Sequence, residues 1–228
     1  MEEIIKQRFK SENLETMNPQ IPVSESASER RTDYRIILDM LPPQCRVLDL
    51  GCGTGGLLTL LRDKKQARGY GIELSSQHII ECVGKGLSVF HGDIDEGLRD
   101  FEDQSFDYVI VNQTLSATHR PELVLDEVLR VGRIGIVSFV NFAYWRLRFR
   151  LLFSGRMPVT ESMPYEWFDT PNIHLFSIRD FRIFCRRHEA RVIRSCYFNN
   201  LEGGKVSEGG TLANWSAAYA LFALQKAY

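Results

Sequence analysis

Residues 46–61 read RVLDLGCGTGGLLTLL, and no other stretch narrows the fold as far. A short apolar run ends in four glycines within six positions, Gly51, Gly53, Gly55 and Gly56, and leucines at helical spacing follow. Strand, glycine turn and helix open a βαβ unit. Glycines there let the backbone turn tightly and approach a ligand at a helix N-terminus.

The rest of the chain continues that alternation. Strands are expected over 46–50, 68–73, 87–91, 106–111 and 132–139, with helices over 55–63, 76–85 and 121–130 between them. Short apolar strands without polar alternation fit a parallel sheet buried on both faces. An earlier helix is expected over 34–41, where Tyr34, Ile37, Leu38 and Leu41 share a face before Pro42 and Pro43 stop it. Residues 142–176 are aromatic, Arg-rich and broken by prolines, and are expected to cover the ligand crevice. An amphipathic helix follows over 177–188. Residues 191–198 and 216–226 read as an antiparallel strand pair joined by a glycine-rich turn. The expected organisation is a polar N-terminal arm over 1–33 and one domain over 34–228. That domain divides into a ligand-binding core (34–141), a cap and helix (142–190) and a closing hairpin (191–228). Hydrophobic residues at 44% and charged residues at 25% suffice for such a core.

The glycine string also satisfies G-x-G-x-x-G through Gly51, Gly53 and Gly56, the mark of dinucleotide-binding folds. Asp49 argues against that ligand. Its carboxylate stands at the mouth of the turn, where a pyrophosphate would be repelled and a cationic amine welcomed. The methionine moiety of S-adenosylmethionine carries such an amine. Glu73 ends the second strand, 24 residues after Asp49. It is placed to accept hydrogen bonds from two ribose hydroxyls. Asp93, after the third strand, is placed to reach an adenine amino group, and Asp95 is close enough to take its role. Three acids at the carboxyl ends of three successive strands share one crevice. The expected cofactor-binding set is Asp49, Gly51, Cys52, Gly53, Gly55, Glu73, Leu74, Asp93, Ile94 and Gln113. Gln113 either packs near the adenosine or caps the turn after the fourth strand. Cys52 is expected to pack rather than react.

With those residues in place, the chain resembles the class I S-adenosylmethionine-dependent methyltransferases, and within them the methionine biosynthesis protein MetW family. The resemblance rests on RVLDLGCGTG, GYGIE, GDIDEGL, FEDQSFDYVIVNQTL, VLDEVLRVGRIGIVSFVNF and above all GRMPVTESMPYEWFDTPNIHLFSIRDF. It implies a seven-strand, Rossmann-like α/β sheet, mostly parallel with an antiparallel C-terminal pair and helices on both faces. It also implies S-adenosylmethionine or S-adenosylhomocysteine as ligand, a role in methionine biosynthesis, and a homoserine O-acyltransferase as partner. The chain departs from the family's pattern at Thr54, where an acid is usual, at Ser75, where Asp is frequent, and at Val140, where Pro is usual.

Methyl transfer needs alignment and, for some acceptors, a general base. His119 and His174 are the candidate bases, with Asp169 placed to orient His174; a structural role in the turn is the competing reading for His174. The sequence Asn112-Gln113-Thr114-Leu115 ends the fourth strand where Asn-Pro-Pro-Tyr would mark amino-group methylation, which disfavours that chemistry. Five cysteines without a C-x-x-C pair imply reduced thiols in the cytoplasm and no metal site. The N-terminus lacks a signal-peptide apolar core, and no run is long enough to span a membrane. Lys and Arg number 28 against 29 Asp and Glu, which excludes a generic nucleic-acid-coating protein. The balance conceals an asymmetry: residues 128–160 hold no acid and six arginines, Arg130, Arg133, Arg146, Arg148, Arg150 and Arg156. That stretch suits a solvated face, a small anionic substrate, an acidic protein partner or a membrane surface.

Overall fold

The computed structural model describes residues 28–227. Five strands run parallel in the spatial order β3 (Ser88–His91), β2 (Arg68–Glu73), β1 (Arg46–Leu50), β4 (Phe106–Asn112), β5 (Gly132–Val140). The sheet then continues antiparallel through β8 (Tyr219–Lys226), β6 (Ala190–Phe198) and β7 (Ser207–Glu208). The order reverses between β1 and β4, where the connections leave toward opposite faces and a crevice opens at the strands' carboxyl ends.

The seven strands expected become eight among the described residues. The addition is β7, two residues from the glycine-rich connection, paired on β6 through Cys196–Glu208 and Tyr197–Ser207. Arg194 of β6 also pairs with Glu208. Nothing in EGGKVSEGG signals a strand, and the free edge of β6 induces it. β6 and β8 are the antiparallel neighbours expected, but their connection also holds a short helix over Ala213–Ser216 rather than a simple turn.

Strand pleating sorts the core into two layers. Leu48 and Leu50, with Val109, Val111, Val137 and Phe139, face α4 (Pro121–Val131) and α6 (Ile178–Arg187) through Val124, Val128, Phe181 and Cys185. Val47, Ile110 and Ile136 face α1 (Thr32–Met40) and α2 (Gly56–Lys65) through Ile36, Ile37, Leu57 and Leu61. A smaller cluster of Cys52, Leu58 and Cys82 packs beneath α3 (Ser76–Gly84). The Ser177 hydroxyl and the Asp180 carboxylate form a reciprocal capping box that starts α6. In the 142–176 segment, α5 (Trp145–Ser154) tucks Leu147 against the α1 layer, while Ile173 and His174 donate backbone N–H to Ser116 O beside the loop after β4.

The expected arm ended at residue 33, and the structure moves that boundary. Among the described residues the first helix begins at Thr32, and Thr32 and Asp33 are fully buried. Thr32 donates its N–H to Leu201 O and accepts from Gly204 N at 2.9 Å, which ties residues 31–33 to the connection after β6. Of the expected arm, residues 1–27 lie outside the described residues.

Candidate functional site

Four strand ends build the crevice. β1 runs into the glycine loop, whose backbone is left-handed at Gly51 (φ 72°) and Gly53 (φ 54°). At Gly51 a Cβ would stand 2.6 Å from the Thr114 methyl, so the residue lets the loop pass close to the turn after β4. At Gly53 a Cβ would meet nothing within 4 Å. That glycine serves a conformation, and the room beside it is free for a ligand. Gly55 is the N-cap residue of α2.

Glu73, at the end of β2, is the loop's anchor. Its Oε2 accepts from Gly53 N at 2.8 Å, and its Oε1 accepts from Ser75 N at 2.9 Å and Leu74 N at 3.1 Å. A carboxylate offers about four acceptor positions, so the bond to Gly53 leaves capacity on Oε2 for a further donor. Leu74 is exposed on the rim. Cys52 packs with Cys82, its thiol pushed up by burial and by the neighbouring Asp49. It carries no thiolate near neutrality.

After β3, Asp93 caps a single 3-10 turn (Ile94–Glu96), its Oδ1 accepting from Asp95 N at 2.9 Å, while Ile94 packs on the core. Asp95 is committed elsewhere: its two carboxylate oxygens accept from Arg120 N at 2.7 Å and His119 N at 2.8 Å. Between the two acids, Asp93 is the one whose second oxygen makes no hydrogen bond among the described residues. Gln113 adopts φ 60°, uncommon for a residue with a side chain. Both its backbone N (3.1 Å) and its Nε2 (3.2 Å) donate to Ser138 Oγ on β5, so its amide is turned along the sheet.

Asp49 is the exceptional group. It is 3% exposed, and its carboxylate makes no hydrogen bond among the described residues. Its pKa is pushed up to about 7, chiefly by burial. Arg31 opposes that rise, and Glu73 and Asp33 add to it. The pleat that turns Leu48 and Leu50 toward α4 turns Asp49 toward α1, which explains why residues at the start of that helix surround it.

Those residues form a network that the sequence did not disclose. Arg31 Nε donates to Asp33 Oδ1 at 3.0 Å, Nη1 donates to the Tyr34 hydroxyl at 3.2 Å, and the guanidinium lies 4.0 Å over the Tyr34 ring. Asn112 Nδ2 donates to Asp33 Oδ2 at 2.9 Å, and Asn112 Oδ1 accepts from Ser138. Arg31, Asp33, Asn112, Ser138 and Gln113 thus run along the mouth from α1 to β5. The available signal was an acid opening the periodicity of α1, which ordinarily means only a helix-dipole contact.

The candidate bases are placed less directly. The His119 side chain is at the surface. His174 is exposed and forms no bond to Asp169 among the described residues; its backbone is held by Ser116, and the Asn172 amide oxygen accepts from Ser116 Oγ at 2.7 Å. With Leu115, Pro121 and Phe176, His174 lines a cavity of about 440 Å³. No cluster of three potential metal ligands occurs among the described residues. No helix there is long and apolar enough to cross a membrane.

Strand order and loop geometry define the methyltransferase-type Rossmann-like fold. Solved structures agree: a Thermotoga maritima protein described as a S-adenosylmethionine-dependent methyltransferase, possible histamine N-methyltransferase, is similar with a TM-score of 0.64 at 21% identity, covering 85% of this chain and 87% of that one. A methyltransferase of Archaeoglobus fulgidus is similar with a TM-score of 0.64 at 15% identity, covering 85% and 91%. Residues 31–224 match the family described as methionine biosynthesis protein MetW, and the chain belongs to that family. Over 170 residues it is 37% identical to the bifunctional methionine biosynthesis protein MetXA/MetW of Rhodopirellula baltica. That match takes in 71% of this chain but only 27% of the longer relative.

Proposed function

We propose that the crevice binds S-adenosylmethionine or S-adenosylhomocysteine, and that the protein acts in methionine biosynthesis with a homoserine O-acyltransferase, which it activates. The observation that carries the ligand reading is Asp49, a buried carboxylate without a hydrogen bond among the described residues, beside a glycine loop with open room at Gly53. A buried ion is unfavourable unless paired, and the ligand's ammonium supplies the pairing. Glu73 Oε2 and the second oxygen of Asp93 are free to accept from ribose and adenine groups. When bound, S-adenosylmethionine supplies an electrophilic methyl group on sulfonium sulfur. The chain's residues bind and orient it: Glu73 holds the loop, and the Arg31–Asp33–Asn112 chain braces the mouth.

The partner reading is supported by the Rhodopirellula relative, a bifunctional protein that joins MetXA and MetW on one chain. Binding of a methionine derivative would make the protein report the pathway's output to an enzyme acting earlier in it. A second reading, a methyltransferase for a small-molecule acceptor, draws support from the cavity at His174, which Glu122, Asp180 and Arg187 also line.

Two measurements test these readings. Glu73→Gln should weaken S-adenosylmethionine binding in calorimetry by about 10- to 100-fold, as loss of one or two charge-assisted hydrogen bonds predicts. Unchanged affinity places the ligand elsewhere. The acyltransferase, assayed with and without this protein, should turn over faster with it. No change at saturating concentration removes the activation reading, and label from methyl-labelled S-adenosylmethionine appearing in a metabolite would establish the second.

A further inference from the structure

The arginine stretch that the crevice does not use is organised into a surface. On α5, Trp145, Phe149, Leu152 and Phe153 project from the side opposite buried Leu147. Their rings form a ladder, with Phe149 5.8 Å from Trp215, 6.0 Å from Trp145 and 5.7 Å, stacked, from Phe153. Arg146 and Arg150, one helical turn apart, flank one side of the ladder, and Arg148 flanks the other, lying over Trp215 at 5.3 Å. Beside it, a concave groove of about 670 Å³ is lined by Arg150, Arg156, Met157, Glu166, Trp167 and Phe168. Leu152, Phe153, Trp167 and Phe168 are 70–79% exposed. Arg146, Arg150 and Arg156 form no ion pair among the described residues. Contiguous exposed aromatic surface of this kind marks a binding site, and Trp, Phe and Arg around a pocket are the composition of an interface hot spot.

We propose that the α5 ladder and the adjoining groove dock an acidic protein surface that inserts an apolar anchor between Trp167, Phe168 and Arg150. The bearer of that surface is the acyltransferase, an identity that rests on the partner reading above. Charge selects the occupant. A two-fold contact with a second copy would set arginine rows face to face. A bilayer would meet a concave site with Glu166 in its wall, and α5, at ten residues, spans only about 15 Å.

The test compares wild type with Arg150→Glu/Arg156→Glu and with Trp167→Ser, using the full chain and purified acyltransferase in calorimetry. All three positions are exposed, and an unchanged thermal midpoint and S-adenosylmethionine affinity report intact folding. The double variant should bind about 30-fold or more weakly, and wild-type affinity should fall as salt rises. If wild type binds and both variants bind equally well, the docking surface is refuted and the partner reading survives. If wild type does not bind the acyltransferase at all, the partner reading fails, and this assignment fails with it. A wild-type dimer in sedimentation that the double variant breaks would identify a second copy as the occupant. Phosphatidylglycerol vesicles that retain wild type but not the variant would identify a membrane. Either result overturns the proposal.

Discussion

Replacing Asp49 with Asn should stabilise the ligand-free protein while destroying ligand binding, with a pH signature that a packing defect would not produce. Asp49 holds its proton up to about pH 7 in the folded state, whereas an unfolded chain releases it near the ordinary value of about 3.9. Between those values the folded state binds more protons, so stability falls as pH rises, at about 1.4 kcal/mol per pH unit, and levels off above about pH 7. From about pH 5.5 to 7.5 wild type should lose about 2 kcal/mol through this group alone. Asn has the same shape and no charge, so the stability gap between Asp49→Asn and wild type should widen by that amount. Urea unfolding of both proteins at the two pH values measures it. A gap that is equal at both, or larger at the lower pH, refutes the reasoning. The same ionisation governs the ligand. An ammonium pairs only with the charged form, so wild-type affinity for S-adenosylmethionine should drop about 20-fold from pH 7.5 to 5.5. Asp49→Asn should bind weakly at both.

Other substitutions separate loop conformation, mouth and core. Gly53→Ala meets open space but forces a left-handed backbone, so denaturation should show a loss of about 1 kcal/mol; Gly51→Ala adds a clash with Thr114 and should cost more, and equal losses would deny the close approach at Gly51. Asp33→Ala leaves Arg31 and Asn112 without their shared partner and should cost about 1–3 kcal/mol in urea unfolding, a result near zero meaning that the network does not bind α1 to β4. Phe222→Ala removes a fully buried ring that stacks on Phe139 at 5.9 Å and lies tilted against Phe181 at 5.1 Å. Its expected cost is about 3–5 kcal/mol by calorimetry, and less than about 1 kcal/mol would show that the layer between the sheet and α6 packs differently.

Elements that carry their own signal were readable along the chain. The parallel strands β1, β4 and β5 are largely apolar runs, and the helices α2 and α4 repeat leucines and valines at helical spacing. The glycine loop is a local string whose left-handed conformations are encoded in the residues that adopt them. Asp49 and Glu73 were legible because a strand's last residues necessarily sit at the carboxyl edge of a parallel sheet. Choosing Asp93 over Asp95 was not, because it depends on which acid the loop before α4 captures, and that loop is more than twenty residues away.

The amino-acid order by itself determined the alternating α/β architecture and the acids at the carboxyl ends of its first strands. These follow from short-range periodicity and turn chemistry. Tertiary structure alone decided that residues 31–33 belong to the domain, that Asp33 and Asn112 join α1 to β4, and that β8 inserts between β5 and β6. It alone decided that an edge strand forms at Ser207–Glu208. Those features arise from pairing between segments far apart in sequence. No residue signals such a partner, because a buried polar group or a free strand edge finds one only after the chain has closed around it.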